Sequence, residues 1–189
     1  ILEKSQKSNE NKIKSLKINK YNDIYIHSND TINNERKIID GFIFYNELDM
    51  LEFRLMELNE VVDYFVLVEA TTTHSGKPKP LYYNDNKDRY AQYNHKIIHV
   101  VVDDMPTPGK FPNYESKFII WSAEYFQRNS IDRGLRQIKN WKCDDIIIIA
   151  DVDEIPDPSY LYELKYYSNT QNNNKINYNY CKSNALEGG

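Results

Sequence analysis

The sequence predicts an α/β fold, a mostly parallel sheet flanked by helices. Three observations predict it. Four short apolar runs, GFIFYN, YFVLVEA, KIIHVVV and IIIIA, carry little polar alternation, as strands covered on both faces do. Segments with helical apolar spacing lie between them. At 189 residues and 40% hydrophobic composition, the chain has enough apolar side chains for one domain with a real core.

GFIFYN (41–46) is bounded by Gly and Asn and reads as the first strand. Leu48, Leu51, Leu55 and Leu58 then recur at spacings of three and four, one face of an amphipathic helix. YFVLVEA (64–70) is the second strand, expected to be buried on both faces. TTTHSGKPKP follows as a loop, because its Gly and two Pro break regular structure. KIIHVVV (96–102) is a third buried strand, and DDMPTPGKFPN after it is a Pro/Gly-rich loop. Phe118, Ile119, Ser122, Phe126, Ile131, Leu135 and Ile138 suit one long helix. IIIIA is the fourth buried strand. A last helix begins after Pro158, with Leu161 and Leu164 turned inward.

The ends differ from this middle. Residues 1–36 are polar and Lys/Asn-rich, too poor in apolar surface to order themselves, and are expected to be a disordered tail. Residues 168–189 are an Asn-rich, low-complexity tail with the same expectation. The folded domain is placed at 37–167. The chain begins with Ile1 rather than Met, the reading of a processed end or a fragment. No apolar run approaches the ~20 residues that span a bilayer, and an anchor would lie outside this chain. The net charge of −4 argues against a nucleic-acid partner, which calls for a concentrated basic face. Cys143 and Cys181 form neither a zinc spacing nor a disulfide framework and read as free thiols. Asn29-Asp30-Thr31 is a lone glycosylation sequon, too common to locate the protein.

The chemistry concentrates in IIIIADVDEIPDP (146–158), where an apolar strand runs into Asp151, Asp153 and Glu154. In open α/β sheets the ligand lies beyond the carboxyl ends of the strands. Three carboxylates gathered there repel one another. A divalent cation is the simplest compensation, and hard oxygen ligands suit Mg²⁺ or Mn²⁺. The bland reading is a solvated acidic turn with Asp157 capping the helix at Pro158. An EF-hand starting at Asp151 would need Gly at its sixth place and Glu at its twelfth; Pro156 and Tyr162 stand there. DVDEI also looks like the opening motif of haloacid-dehalogenase phosphatases, whose partner motifs lie downstream, where this chain has only its Asn-rich tail. Gly41, Gly76, Gly109 and Gly134 are isolated, so no phosphate-cradling loop is present.

Four blocks in order carry a more specific resemblance: IIDGFIFYNELDMLEFRLMELNEVVDYFVLVEATTTHSGKPKPLYY, KIIHVVVDD, EYFQRNSIDRGL and DDIIIIADVDEIP. They resemble glycosyltransferase family 17 over residues 37–164. The resemblance implies a GT-A-like, Rossmann-like nucleotide-sugar domain. It implies inverting, metal-dependent transfer of N-acetylglucosamine from UDP-N-acetylglucosamine to a mannose of an N-glycan, on a glycan or glycoprotein acceptor. Mn²⁺ or Mg²⁺ is the implied cofactor. A Golgi or secretory membrane is the implied setting; a soluble cytoplasmic protein is the alternative. Oligomeric state is left open.

The resemblance further makes Asp153 the metal ligand and Asp151 its partner, with Glu154 either supporting them or facing solvent. Glu69, at the end of the second strand, is placed with the nucleotide, against a capping or surface role. Arg128 is placed with the diphosphate, which a guanidinium holds bidentately. Arg128, Asn129, Asp132 and Arg133 share one block, and Arg128 with Asp132 equally fits an ion pair within a helix. Lys77 and Lys79 are placed over the donor, against a solvated loop. His74 and His99 lack metal spacing and read as structural or surface residues. No catalytic base is named. The family continues past the Asp-x-Asp block where this chain has its Asn-rich tail, so the chain is expected to be its nucleotide-sugar half. Little or no transfer is expected from it, the alternative function being a truncated, non-catalytic nucleotide-sugar and metal-binding domain. If transfer does occur, Glu69, Asp103, Asp104 and Glu154 are the first candidates for the base.

Overall fold

The computed structural model describes residues 36–106, 116–140, 142 and 144–166, without the side chains of 116–120. The tails expected at 1–36 and 168–189, the sequon at 29–31, Cys143, Cys181, most of the loop after residue 106 and the packing of Phe118 and Ile119 lie outside the described residues, apart from Arg36.

Four strands form one sheet: β1 (Ile38–Phe44), β2 (Tyr64–Ala70), β3 (Ile97–Val102) and β4 (Ile146–Asp151). Their order is β3-β2-β1-β4, and every pairing is parallel. The helices are α1 (Leu48–Leu58), α2 (Tyr82–Asp85), α3 (Ser116–Asn129), α4 (Ile131–Leu135) and α5 (Pro158–Tyr166), with a 3₁₀ segment at Lys87–Tyr93. This is the expected α/β architecture of a Rossmann-like glycosyltransferase domain. The chain walks outward from β1 to β3, then returns past both to place β4 on the other side of β1. Right-handed crossovers put the helices of the outward and the returning connections on opposite faces.

The pleat sorts the side chains accordingly. Ile38, Phe42 and Phe44 of β1 and Phe65 and Leu67 of β2 meet Leu51, Leu55 and Leu58 of α1, the tyrosines Tyr83, Tyr90 and Tyr93, and Leu161 of α5. Ile39, Val66, Val68 and Ala70 face the other way, against Ile131 of α4 and Phe126 of α3. Close approach holds this second face. A Cβ on Gly41 would stand 2.7 Å from Ile131 Cγ2, and one on Gly134 only 2.3 Å from Val66 Cγ1.

Three expectations need correction. β3 and β4 are edge strands, not strands buried on both faces: Val101, Ile147 and Ile149 are exposed. An edge strand has one neighbour, and the apolar run cannot reveal which strands end up outside. The long helix expected over 118–138 is two. Ser130 interrupts it, its Oγ donating to the Phe126 carbonyl at 2.9 Å, a local bond that competes with helix continuation. The short helical pieces at 82–93 were not expected. Their tyrosines Tyr83, Tyr90 and Tyr93 fill the core on the α1 side of the sheet. No helix among the described residues is long and apolar enough to cross a membrane.

Candidate functional site

The returning crossover makes β1 and β4 the switch point of the sheet, the place where open α/β folds leave a crevice. A cleft of about 810 Å³ opens there. Its walls come from the ends of β1 (Ile43 to Tyr45, then Glu47), the segment after β2 (Thr72 to Ser75, Lys79), α3 (Glu124, Gln127) and the turn after β4 (Asp151 to Asp153).

The acidic turn is pinned from several directions. Val152 is 6% exposed and packs in the core, so its neighbours Asp151 and Asp153 line the cleft. The Glu154 carboxylate accepts the Asp151 backbone N–H at 3.0 Å. Beneath the turn lies Arg54 of α1, fully buried. Its Nε and Nη2 donate to the two carboxylate oxygens of Asp40 at 2.8 and 2.7 Å. Its Nη1 donates to the carbonyls of Asp151 (2.8 Å), Val152 (3.2 Å) and Glu154 (2.9 Å). Burial pushes the Asp40 carboxyl up and the Arg54 guanidinium pulls it back. After the turn, Asp157 caps α5, accepting Ser159 N–H at 2.8 Å and Ser159 Oγ–H at 2.6 Å. Those bonds hold its carboxyl below the usual range.

The residues singled out in the sequence are distributed unevenly around this cleft. The Asp153 carboxylate is exposed, with no hydrogen bond or ion pair among the described residues. Asp151 accepts from Arg128 Nη2 at 2.8 Å, and Arg128 also reaches Glu124 at 3.0 Å. The Arg128–Asp132 pair does not form: Asp132 pairs with Arg136 one helical turn later. Arg133 holds Asp104 through both carboxylate oxygens on the surface, and neither lines the cleft. Asn129, Asp103 and Lys77 do not line it either.

Glu69 is wholly buried rather than at the surface. Its carboxylate accepts the Tyr83 backbone N–H at the start of α2 (3.0 Å) and faces His99 Nε2 (3.1 Å) and Lys79 Nζ (3.7 Å). Between Glu69 and the cleft stands Lys79, its ammonium over the rings of Tyr45 and Tyr82 at 5.2 and 5.3 Å. Burial lowers the Lys79 pKa, against the opposing pull of Glu69. His99 is structural, stacked edge-on against Tyr83 at 4.8 Å.

The sequence reading gave no place in the site to six residues. His74, expected to be structural or at the surface, lines the cleft, and its Nε2 meets Gln127 Oε1 at 2.8 Å. Gln127 is buried and donates Nε2–H to the Val68 carbonyl at 3.0 Å, so its oxygen faces the ring. His74 Nε2 is therefore the donor, and Nδ1 of the neutral ring is an acceptor. Glu47 and Glu124 add carboxylates to the wall. Arg54 and Asp40 had a legible signal, one charged residue in each of two otherwise apolar stripes: Leu51, Arg54, Leu55, Leu58 and IIDGFIF.

No three His, Cys, Asp or Glu side chains among the described residues are grouped to hold a metal ion by themselves. Mg²⁺-type sites need fewer, because such ions are bound through one or two carboxylates plus substrate phosphates and water. The unpartnered Asp153 carboxylate with Asp151 beside it fits that donor set.

A model of glycosyltransferase family 17 matches residues 8–180. The chain belongs to this family. The match extends beyond the motif blocks at both ends. The chain is 31% identical to the β-1,4-mannosyl-glycoprotein 4-β-N-acetylglucosaminyltransferases of Rattus norvegicus and Homo sapiens, and 30% identical to that of Mus musculus. Each alignment runs over 135 residues, 70% of this chain and 24% of the relative. The chain thus spans about a quarter of the length of these relatives. No solved structure matches it significantly.

Proposed function

We propose that this chain is the donor-holding part of an N-acetylglucosaminyltransferase. It binds UDP-N-acetylglucosamine with Mn²⁺ or Mg²⁺ for inverting transfer to a mannose of an N-glycan. The observation that carries the reading is the unpartnered carboxylate of Asp153 beside Asp151 at the switch-point cleft of a family 17 chain.

When bound, the divalent cation supplies Lewis-acid stabilisation to the charge that develops on the leaving diphosphate. Asp153, exposed and without a competing partner, is the carboxylate that would hold it, with Asp151 second. Arg128 lies within hydrogen-bond reach of Asp151, so a diphosphate bound to the acidic turn meets a guanidinium able to take two of its oxygens. Lys79 brings a second cation into the wall, oriented by the rings beneath it and by Glu69. Glu69 acts through Lys79, since its own oxygens are already engaged. His74 offers an acceptor nitrogen for a sugar hydroxyl.

Calorimetry with UDP-N-acetylglucosamine, with Mn²⁺ and with EDTA, tests the reading. Cation-dependent affinity is expected, falling further for Asp153→Ala than for Glu154→Ala. Equal affinity in both buffers sinks the metal role.

A further inference from the structure

We infer that Arg54 is the positioning residue of the acidic turn: it fixes the direction in which Asp151 and Asp153 present their carboxylates to a cation-bound nucleoside diphosphate sugar. The inference rests on the donor reading above for its ligand, but the geometry stands without it.

One guanidinium makes two sets of contacts. The fork of Nε and Nη2 is spent on Asp40, which sits on β1 and cannot move without moving the sheet. That bidentate grip sets the plane of the group. The remaining nitrogen, Nη1, then points in a fixed direction, and carbonyls from three of the four residues 151–154 converge on it. Carbonyls drawn inward leave the alternate side chains outward, and Val152 inserted in the core enforces the same alternation. The result is a turn referenced to β1 and α1 rather than to its own loop.

Stability does not explain the arrangement. A buried ion pair recovers little net free energy against its desolvation, and well-packed apolar residues often replace one without loss. Lysine would not do the same job, because a point charge cannot hold a carboxylate with two parallel bonds and also reach three carbonyls. Nor does Arg54 cancel the acidic field of the turn, since Asp40 already balances its charge at 2.7 Å. The cation-attracting charge of Asp151, Asp153 and Glu154 is left intact while their backbone is fixed. Partners that orient ligating carboxylates in this way change metal affinity by ~10–100-fold when removed.

The double variant Asp40→Leu/Arg54→Met replaces the pair by apolar side chains and so removes the anchor without leaving an unpaired buried charge. Two readouts are taken on the folded protein: amide hydrogen exchange, and Mn²⁺-dependent UDP-N-acetylglucosamine affinity by calorimetry. Exchange at Glu154 and Ile155, whose N–H groups bond within the turn, is expected to rise at least ~10-fold, with β1 and β2 amides unchanged. Donor affinity is expected to fall by ~10–100-fold. Arg54→Lys, read in place of the double variant should that fail to fold, is expected to lie between the two. Ile39→Val, a mild core defect on the opposite face, is expected to move neither readout. Unchanged turn exchange in the folded double variant overturns the inference whatever the ligand does. Turn loosening with wild-type donor affinity overturns the link from turn to ligand. A wild type that binds no donor, with the turn still loosened in the variant, sinks the donor reading alone.

Discussion

The two faces of the sheet are held by different means. On the α1 side, Asp40, Arg54, Glu69 and Lys165 are buried ionisable groups, each paired: Arg54 with Asp40, Glu69 with His99 and Lys79, Lys165 with Asp63 at 2.8 Å. On the α4 side the buried polar residues among those described are the neutral Gln127 and Ser130, and contact is made through Gly41 and Gly134 with no space to spare. The difference teaches where the site gets its geometry. Close packing sets the distance between layers but carries no direction. Buried charge is directional, and on the α1 side it points at the two places the cleft needs fixed, the acidic turn through Arg54 and Lys79 through Glu69.

The largest effect should come from leaving one of those charges alone. Asp40→Ala is expected to destabilise the fold by about 3–5 kcal/mol in denaturant titration, the usual cost of breaking a buried pair by removing one partner. A loss under 1 kcal/mol would mean that water reaches Arg54 and that the charged face is less sealed than described. The packed face should give less. Gly134→Ala puts a methyl 2.3 Å from Val66 Cγ1, and overpacking of this kind costs about 1–3 kcal/mol. Adding Val66→Ala should recover part of that loss, because the two sites share one space. Simple addition of the two losses would show that the glycine is kept for its backbone instead.

Legibility followed composition rather than face. Apolar runs and leucine spacing named β1, β2, β3, β4 and α1 because burial acts on composition, and composition is visible along the chain. Which strands lie at the edge was not visible. That depends on the crossover from β3 back to β4, whose loop is long and whose helices look like one. The acidic turn was read from IIIIADVDEIP because carboxylates after a strand are a local pattern. Its anchor was not, since Arg54 and Asp151 are 97 residues apart and only the fold joins them. The sequence reads His74 only as structural or surface for a similar reason: its partner Gln127, 53 positions away, carries no spacing signature.

A pH titration separates the faces by a further, smaller effect. Burial pushes the Tyr83 and Tyr90 hydroxyls up to about 12 from the ordinary 10.0. Both lie on the charged face. A raised pKa in the fold means that unfolded chains lose these protons first. The stability they contribute is therefore whole below about pH 10 and disappears as pH rises through about 12. Denaturant midpoints measured between pH 9 and 12 should fall, and Tyr90→Phe should flatten the fall. Ultraviolet titration should show the corresponding late ionisation lost in that variant. A slope untouched by Tyr90→Phe would remove this tyrosine from the account.

The smallest effect on stability is expected at Arg128, which belongs to neither buried face. Its contact with Asp151 is 2.8 Å long, but the side chains are 25% and 46% exposed, and pairs so open to water are worth about 0–1 kcal/mol. Arg128→Ala should therefore shift the denaturant midpoint little. Its consequences for ligands should have opposite signs. Removing the guanidinium frees Asp151 from a competing cation, so Mn²⁺ alone should bind as well or better, by no more than about fivefold for an interaction of this size. A donor diphosphate loses a charged hydrogen-bond partner worth about 1.5–3 kcal/mol, so UDP-N-acetylglucosamine should bind about 10–100-fold more weakly. Calorimetry with Mn²⁺ alone and then with the donor reads both. Weaker binding of both ligands would mean that Arg128 orients Asp151 rather than competing for it, and the directional role given to the buried charges would extend to this half-exposed one. Equal binding of both would leave Arg128 a surface pair with Glu124 and give it no part in holding the donor.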